Sequence, residues 1–299
     1  MRSMIIPLAA SLLLGAAAPG VNVARVDPLA LQDDDFARHR DLATWRGLTV
    51  ERITFTEERA RWRLWRVRDP QRPGGPLWFV PHDDENAGYE AALLLLRKYG
   101  GTLIAADAGI VPGGDGRRTN AAVEFGRPID PNRNFSDGKP LYGRVILEPL
   151  ANGAWPMIAL HTNGEGYDKA ESTCARAEDP DGRGVISAHM CNDTYMPHAS
   201  RAKAWPFDDP DNVAIATYLA SKGPRTTFCG DALAAADYNV MFEKVVNTDG
   251  SMSNHAVLHG IAYLNFETLE TGLDPQALAK ARDRLVAMVD GAMRLCGRG

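Results

Sequence analysis

Residues 77–101 read LWFVPHDDENAGYEAALLLLRKYGG, and this stretch decides how the rest of the chain is interpreted. Leu77–Val80 is a short, wholly apolar run, which favours a strand buried on both faces of a sheet. From Asn86 to Tyr99 the apolar side chains recur at helical spacing, and two glycines end the predicted helix. A strand followed by a helix predicts an α/β fold, with His82 and Glu85 in the turn between the two elements.

The alternation of strand and helix continues on both sides of this stretch. A hairpin is predicted at 48–68, further strands at 102–106, 145–147, 157–160, 225–228 and 261–267, and helices at 211–221, 234–246 and 275–295. From this order we expect a single α/β domain with a mixed, mostly parallel sheet flanked by helices.

The N-terminus has the pattern of a secretory signal peptide. Arg2 precedes an apolar run that ends in small residues near Ala18, and the run is shorter than the roughly 20 residues of a membrane-spanning helix. We therefore expect a signal peptide at 1–18, a polar linker at 19–41 and one catalytic domain at 42–299. The mature protein is expected to be secreted or periplasmic, with no membrane span.

The four cysteines favour disulfides, because export leads to an oxidising compartment. Three pairings are open, and we favour Cys174 with Cys191 and Cys229 with Cys296. The sequence has no C-x-x-C pair, which argues against a cysteine zinc site. The formal net charge is −5 with Lys and Arg scattered, so nucleic acid is not an expected partner.

Three side chains could together bind a metal ion. His82 and Glu85 follow one predicted buried strand, and His161 ends another. Ligands of open α/β sheets bind at the carboxyl ends of the strands. Two histidines and a glutamate also form a catalytic zinc site that leaves a fourth position open.

Two more motifs complete an ordered set. Asn132-Arg133 carries an amide and a guanidinium fork suited to a carboxylate, and Glu267 ends a late predicted strand. In this order the residues resemble the zinc carboxypeptidase family, which includes the succinylglutamate desuccinylases and aspartoacylases. The resemblance covers residues 75–272 and implies the carboxypeptidase-like α/β fold.

The resemblance also implies roles for individual residues. His82, Glu85 and His161 would hold Zn²⁺, Glu267 would be the general base, and Asn132 with Arg133 would bind the carboxylate of the substrate. Glu270 competes with Glu267 for the role of base.

The resemblance implies three further roles. Arg127 is our choice for the arginine that stabilises the reacting carbonyl, with Arg117 and Arg118 as alternatives. Met252 occupies the position that sets side-chain preference, and its uncharged side chain favours apolar or small C-terminal residues. Tyr238 is the candidate for a substrate-capping tyrosine.

The remaining histidines are given no metal site. His255 and His259 lie one helical turn apart but lack the Glu of an H-E-x-x-H motif. His189, Cys191 and His198 are explained by a disulfide and by solvated histidines, and the acidic stretch 179–182 by a turn.

These observations predict a secreted zinc metallocarboxypeptidase that hydrolyses the C-terminal amide bond of a peptide. One alternative is an amidohydrolase of the desuccinylase or aspartoacylase kind, or one that acts on a cell-wall peptide. Another is a non-catalytic secreted binding protein. The substrate in the enzymatic readings is a peptide or a small molecule bearing a carboxylate.

Overall fold

The computed structural model describes residues 20–108, 118–152, 155–164 and 194–296. The strands in these ranges are β1 (Asn22–Arg25), β2 (Thr49–Glu57), β3 (Ala60–Arg68), β4 (Leu77–Val80), β5 (Thr102–Ala106), β6 (Met157–Asn163), β7 (Tyr195–His198), β8 (Val213–Leu219), β9 (Val240–Val245) and β10 (Tyr263–Leu269). The α-helices are α1 (Asp34–Ala37), α2 (Leu42–Trp45), α3 (Asn86–Tyr99), α4 (Pro140–Leu147), α5 (Gly230–Ala235), α6 (Met252–His259) and α7 (Pro275–Cys296).

The strands of the described ranges all join one sheet, in the order β1-β2-β3-β5-β4-β6-β10-β8-β9-β7. The neighbours β5, β4, β6 and β10 run parallel to one another, as do β8 and β9. The other neighbouring pairs are antiparallel. The expected single α/β domain with a mixed sheet is confirmed, and its parallel strands occupy the centre.

Helices cover both faces of the sheet, which explains why β4 is apolar at every position. Trp78 belongs to a core cluster with Leu95 of α3 and residues of α7. Phe79, which projects to the other face, belongs to a second cluster with Ala256 of α6 and residues of α4. A strand buried on both sides leaves polar side chains only at its end, where His82 follows.

Most elements near residues 77–101 lie where the sequence predicts them. The hairpin β2–β3, the strands β4 and β5 and the helices α3 and α7 match the expected ranges closely. β6 extends three residues beyond its expected end, and β10 begins two residues later than expected.

Four expectations were wrong. They were a strand at 145–147, which lies in α4; a helix at 211–221, which contains β8; a strand at 225–228, which overlaps a short 3-10 helix; and a helix at 234–246, which contains β9. Short apolar runs occur both in buried helices and in buried strands, so periodicity alone does not separate them. Pairing with β10 and with one another determines that β8 and β9 are strands.

The expected linker contains structure that belongs to the domain. Within residues 19–41, β1 pairs with β2, and Phe36 is fully buried against Trp45 and Trp65 at ring-centroid distances of 5.2 and 5.0 Å. The predicted signal peptide at 1–18 lies outside the described residues. Among the residues described, no helix has both the length and the hydropathy needed to cross a membrane.

One expected disulfide is present. Cys229 and Cys296 are bonded across a sequence separation of 67 residues, with their Cα atoms 5.9 Å apart. The bond ties the start of α5 to the end of α7. The other expected pair, Cys174 and Cys191, lies outside the described residues.

Candidate metal centre and active-site cleft

Two of the predicted metal ligands leave the sheet together after β4. His82 follows the strand by two residues, and Glu85 occupies the N-cap position of α3. Both side chains are buried. Gly88, in the first turn of α3, allows this turn to approach β6 closely, because a Cβ on Gly88 would lie 3.0 Å from the carbonyl oxygen of Leu160. The missing side chain therefore brings His82 and Glu85 to the carboxyl end of β6.

His161 and Glu267 lie on neighbouring strands at this same edge of the sheet. β4 and β6 are parallel with Phe79 opposite Ala159, so His161 emerges beside His82. β6 and β10 are also parallel, and their register pairs His161 directly with Glu267. Paired residues of adjacent strands project to the same face, so a predicted ligand and the predicted base share one face of the sheet.

The two imidazoles and the carboxylate converge on one point. Nδ1 of His82 is 2.7 Å from Oε1 of Glu85, and Nδ1 of His161 is 2.9 Å from Oε2 of the same carboxylate. One possible ligand atom from each residue lies within 4.8 Å of the others. No further group of three or more His, Cys, Asp or Glu side chains meets this condition among the residues described.

Burial and pairing act in opposite directions on these groups. Burial lowers the pKa of His82, but its hydrogen bonds with Asp130 and Glu85 outweigh this and raise the pKa to about 9. Burial raises the pKa of Glu85, but the neighbouring His161 and His82 bring it well below its ordinary value. The protons on the imidazoles thus balance the negative charge of the carboxylates. A divalent cation that bound here would replace these protons.

The residues fit a zinc ion. Two histidines and one glutamate, all buried, are the donor set of a known class of catalytic zinc site. Oδ1 of Asp130 lies 2.9 Å from Nε2 of His82, so Nε2–H donates to this carboxylate and Nδ1 is the nitrogen left to a metal. Asp130 stands in the motif that contains Asn132, but the sequence alone assigns it no role.

The Asn132–Arg133 pair lies next to this cluster on a short 3-10 helix, Pro131–Arg133. Asp130 caps that helix, because its Oδ1 accepts a hydrogen bond of 2.8 Å from the backbone N–H of Asn132. The carboxylate that orients His82 therefore also fixes the start of the predicted carboxylate-binding pair.

A second segment packs on the same turn. The backbone N–H of Phe135 donates to the carbonyl of Gly250 at 2.8 Å. A Cβ on Gly250 would lie 2.8 Å from the carbonyl oxygen of Arg133, and its φ of +83° also favours glycine. The Arg133 side chain is half exposed and forms an ion pair with Asp249. The turn and the loop before α6 are thus in contact.

Of the two candidate arginines that the structure describes, Arg118, an alternative in the sequence-based assignment, reaches the cleft. Its Nη1 lies 2.6 Å from Oε1 of Glu85. Arg127, the preferred choice, is exposed instead, because an antiparallel bridge between Asn120 and Ile129 folds this segment back on itself. Arg118 therefore replaces Arg127 as the candidate for stabilising the reacting carbonyl. The third arginine, Arg117, lies outside the described residues.

Glu267 is held by two side-chain amides. Nδ2 of Asn163 and Nδ2 of Asn265 each donate to its carboxylate at 3.2 Å, one to each oxygen. Among the described residues no Lys, Arg or His forms an ion pair with this carboxylate, so the two amides orient it.

Glu270 has different partners. Its carboxylate accepts hydrogen bonds from the Thr162 hydroxyl and from the backbone N–H of Ala87, and burial raises its pKa above the ordinary value. The side chain of Glu85 makes no cap hydrogen bond at the start of α3. Glu270 therefore satisfies a free N–H of the first turn of α3, which is a structural role.

Glu85, His161 and Glu267 line one cleft, which has a volume of about 580 Å³. That volume lies in the range of small-molecule and cofactor sites. The residues that line the cleft are Asp84, Glu85, Arg118, His161, Thr162, Asn163, Gly164, Glu267, Glu270 and Gly272.

Other residues singled out in the sequence lie elsewhere. Met252 is fully buried in the core, so its side chain does not face the cleft. The Tyr238 hydroxyl is buried and donates to the carbonyl of Met288 at 2.9 Å, so it does not cap a substrate. His255 and His259 stack on α6 with ring centroids 4.0 Å apart. Outside the described residues lie His189, Cys191 and the stretch 179–182.

No protein-family model matches the sequence, and no curated protein matches it either. Solved structures are similar at low identity. A candidate metallopeptidase from Shewanella denitrificans is 15% identical, with 92% of this chain and 96% of that one covered and a TM-score of 0.44. The succinylglutamate desuccinylase from Chromobacterium violaceum is 13% identical, with 81% and 70% covered and a TM-score of 0.39. A succinylglutamate desuccinylase/aspartoacylase from Rhodobacter sphaeroides is 14% identical, with 85% and 67% covered and a TM-score of 0.41.

These names fall in the groups that the ordered motifs resemble. Identities and TM-scores this low carry no argument about activity, which has to come from the site itself.

Proposed function

We propose that the chain is a zinc-dependent metallocarboxypeptidase that hydrolyses the C-terminal amide bond of a peptide. One observation carries the proposal: the buried cluster of His82, Glu85 and His161 has Glu267 in register with His161 on the next strand. A metal-binding cluster and a carboxylate base then face the same cleft, which is the arrangement that amide hydrolysis requires.

The chain's own residues divide the work of the reaction. When bound, zinc would supply a Lewis acid that polarises the scissile carbonyl and lowers the pKa of water. Glu267, oriented by the amides of Asn163 and Asn265, accepts a proton from the attacking water and returns it to the leaving amine. Arg118 stabilises the negative charge that develops on the carbonyl oxygen.

Arg133 and Asn132 bind the carboxylate of the substrate. The side chain of Arg133 is 55% exposed. Asp249 occupies only part of its guanidinium, which carries five N–H donors and can grip a carboxylate with two of them. Asp130 links this pair to His82 of the cluster, so a carboxylate bound here would position the scissile bond near the metal.

We propose that the protein works in an oxidising compartment, as a secreted or periplasmic protein. The Cys229–Cys296 bond supports this, because disulfides are rare in the cytosol.

A small-molecule amidohydrolase of the desuccinylase kind is the second candidate. The feature that favours it is the short interval between His82 and the Asn132–Arg133 pair, which resembles that branch of the family. The two candidates share the metal chemistry and differ in what lies on the acyl side of the scissile bond, which is a peptide in the first and a small acyl group in the second.

Metal content and a substrate panel test the proposal together. The protein is expected to hold about one zinc per chain, and His161→Ala to lose both zinc and activity. The panel comprises a peptide with a free C-terminus, the same peptide amidated, and N-succinyl and N-acetyl amino acids.

Of the two peptides, a carboxypeptidase cleaves only the one with a free C-terminus. Cleavage of the acyl amino acids alone would favour the second candidate. Equal cleavage of the free and amidated peptides, or absence of zinc after purification without chelators, would rule out the proposal.

A further inference from the structure

Helix α6 carries two histidines, His255 and His259, whose rings lie against each other. The two residues are one helical turn apart, and their ring centroids are 4.0 Å apart with the ring planes inclined at 28°. Residues four apart on a helix are neighbours on its surface, so this contact follows from the sequence spacing. Neither histidine lines the cleft. The pair is therefore separate from the cluster of His82, Glu85 and His161.

The hydrogen bonding of His259 leaves one of its ring nitrogens to a metal. Nδ1 lies 2.8 Å from the carbonyl oxygen of His255, so Nδ1–H donates and Nε2 keeps its lone pair. Histidines that bind metals in proteins almost always donate their other ring N–H to a carbonyl, a carboxylate or water, which fixes the tautomer and the ring. His259 is also exposed, so ions in solution reach it.

The ring of His255 is held in place by its surroundings. It is half-buried and packs against Phe135 with the ring centroids 5.7 Å apart, while its other ring contact is with His259. A side chain that is already restricted loses less conformational entropy when it binds a ligand. One ring of the pair is thus fixed by packing and the other by a hydrogen bond.

The position of the pair at the end of α6 also favours a cation. His259 is the last residue of the helix, and Gly260 ends it in the left-handed conformation, with its N–H donating to the carbonyl of Ala256. The carbonyl groups of the last helical turn carry partial negative charge. A positive charge held beside this turn is stabilised by them.

The lack of a glutamate after His255 does not argue against metal binding. In an H-E-x-x-H motif the two histidines bind the metal, and the glutamate acts as the general base. Ala256 stands in that place here and is buried in the core. The pair therefore retains the ligands of the motif without its base.

We propose that His255 and His259 form a second metal site, on the surface of α6, that binds Cu²⁺. Two imidazole nitrogens, with water in the remaining positions, form the nitrogen and oxygen donor set that suits Cu²⁺. Zn²⁺ and Ni²⁺ are expected to bind more weakly, as they generally do to such donors. No third His, Cys, Asp or Glu of the described ranges meets the pair closely enough to share an ion, so the site is weaker than one with three protein ligands. This replaces the expectation that these histidines have no metal site.

Copper binding to single and double variants tests the site. Bound copper is measured by equilibrium dialysis with zinc-loaded wild type, His255→Asn, His259→Asn and the double variant, and released zinc is measured in the same samples. The wild type is expected to bind one Cu²⁺ per chain beyond any that replaces zinc. Each single variant should weaken the Kd of this copper by about 10²-fold, because linking two binding groups strengthens binding by at least that much. Where the wild type is saturated, the single variants should bind as little copper as the double one.

His198→Asn is the matched control. The ring of His198 on β7 also bonds a backbone carbonyl, that of Tyr238 at 3.1 Å, so this variant removes a similar histidine from another element. It should bind copper as the wild type does. The proposal would be overturned by copper that enters only as zinc leaves, or by a Kd that His259→Asn does not change. Peptide cleavage does not bear on this outcome, because the difference between wild type and His259→Asn counts only copper on α6.

Discussion

Glu267 and Glu270 line the same cleft, and their partners separate their roles. Glu267→Gln keeps the shape of the side chain but removes the proton acceptor, so kcat should fall by about 10² to 10⁴-fold. Glu270→Gln should cause a much smaller loss, since an amide oxygen still accepts from the start of α3. Zinc content is measured for both variants and should remain at the wild-type level. A larger loss for Glu270→Gln would mean that Glu270 is the base.

Position in the sequence was sufficient to identify the candidate site residues that follow a buried strand directly. His82, His161 and Glu267 could be found because a polar side chain at the end of an apolar run projects from a fixed edge of the sheet. Arg118 could not be chosen over Arg127, because the path of their loop depends on backbone bridges, one of which joins Val123 to Ala60 of β3. Residues on loops take their positions from such tertiary contacts.

Gly88 determines the separation between α3 and β6. Alanine is normally favoured over glycine in a helix by about 1 kcal/mol. At this position its Cβ would meet the carbonyl of Leu160 at 3.0 Å, and a backbone oxygen cannot rotate away. Overpacking of this kind costs about 1 to 3 kcal/mol. Gly88→Ala should therefore lower the midpoint of thermal unfolding and weaken zinc binding, because Glu85 moves away from His161.

Gly143→Ala in α4 is the matched control for this prediction. The nearest atom to its Cβ would be a ring carbon of Phe135 at 3.9 Å, an ordinary contact. This variant should leave stability unchanged or raise it, and zinc affinity should not change. Equal effects of the two substitutions would show that α3 is not held by close approach at Gly88.

Two of the elements that the sequence missed, β8 and β9, extend the sheet beside β10. A helix expected at 234–246 gives these residues no relation to the metal ligands, whereas β9 pairs with β8, the neighbour of the strand that carries Glu267. The central strands were predictable because both of their faces are buried and each is bounded by turn residues. β9 contains Met, Glu and Lys, which suit either structure, so its partners decide. β8 contains Val, Ile, Thr and Tyr, which favour a strand, so the expected helix there went against the residue types.

At the scale of the whole molecule, the Cys229–Cys296 bond joins α5 to the C-terminal helix. Closing a loop of 67 residues restricts the unfolded chain and is expected to contribute about 4 kcal/mol to the free energy of unfolding. A Cys229→Ser/Cys296→Ser variant should unfold at lower denaturant concentration. Its zinc affinity should match that of the wild type, because neither cysteine lines the cleft. An unchanged unfolding midpoint would show that the bond adds no stability.

The sequence separations within the site set an order in which a growing chain acquires its parts. His82 and Glu85 are three residues apart, Glu85 meets Thr162 across 77 residues, and Asn163 meets Glu267 across 104. A chain synthesised from its N-terminus therefore contains every proposed metal ligand well before β10 leaves the ribosome. The proposed base joins the site last, because β10 is the last of the strands along the chain. A chain without β10 would therefore carry the proposed metal ligands but lack both the proposed base and the strand that supports His161.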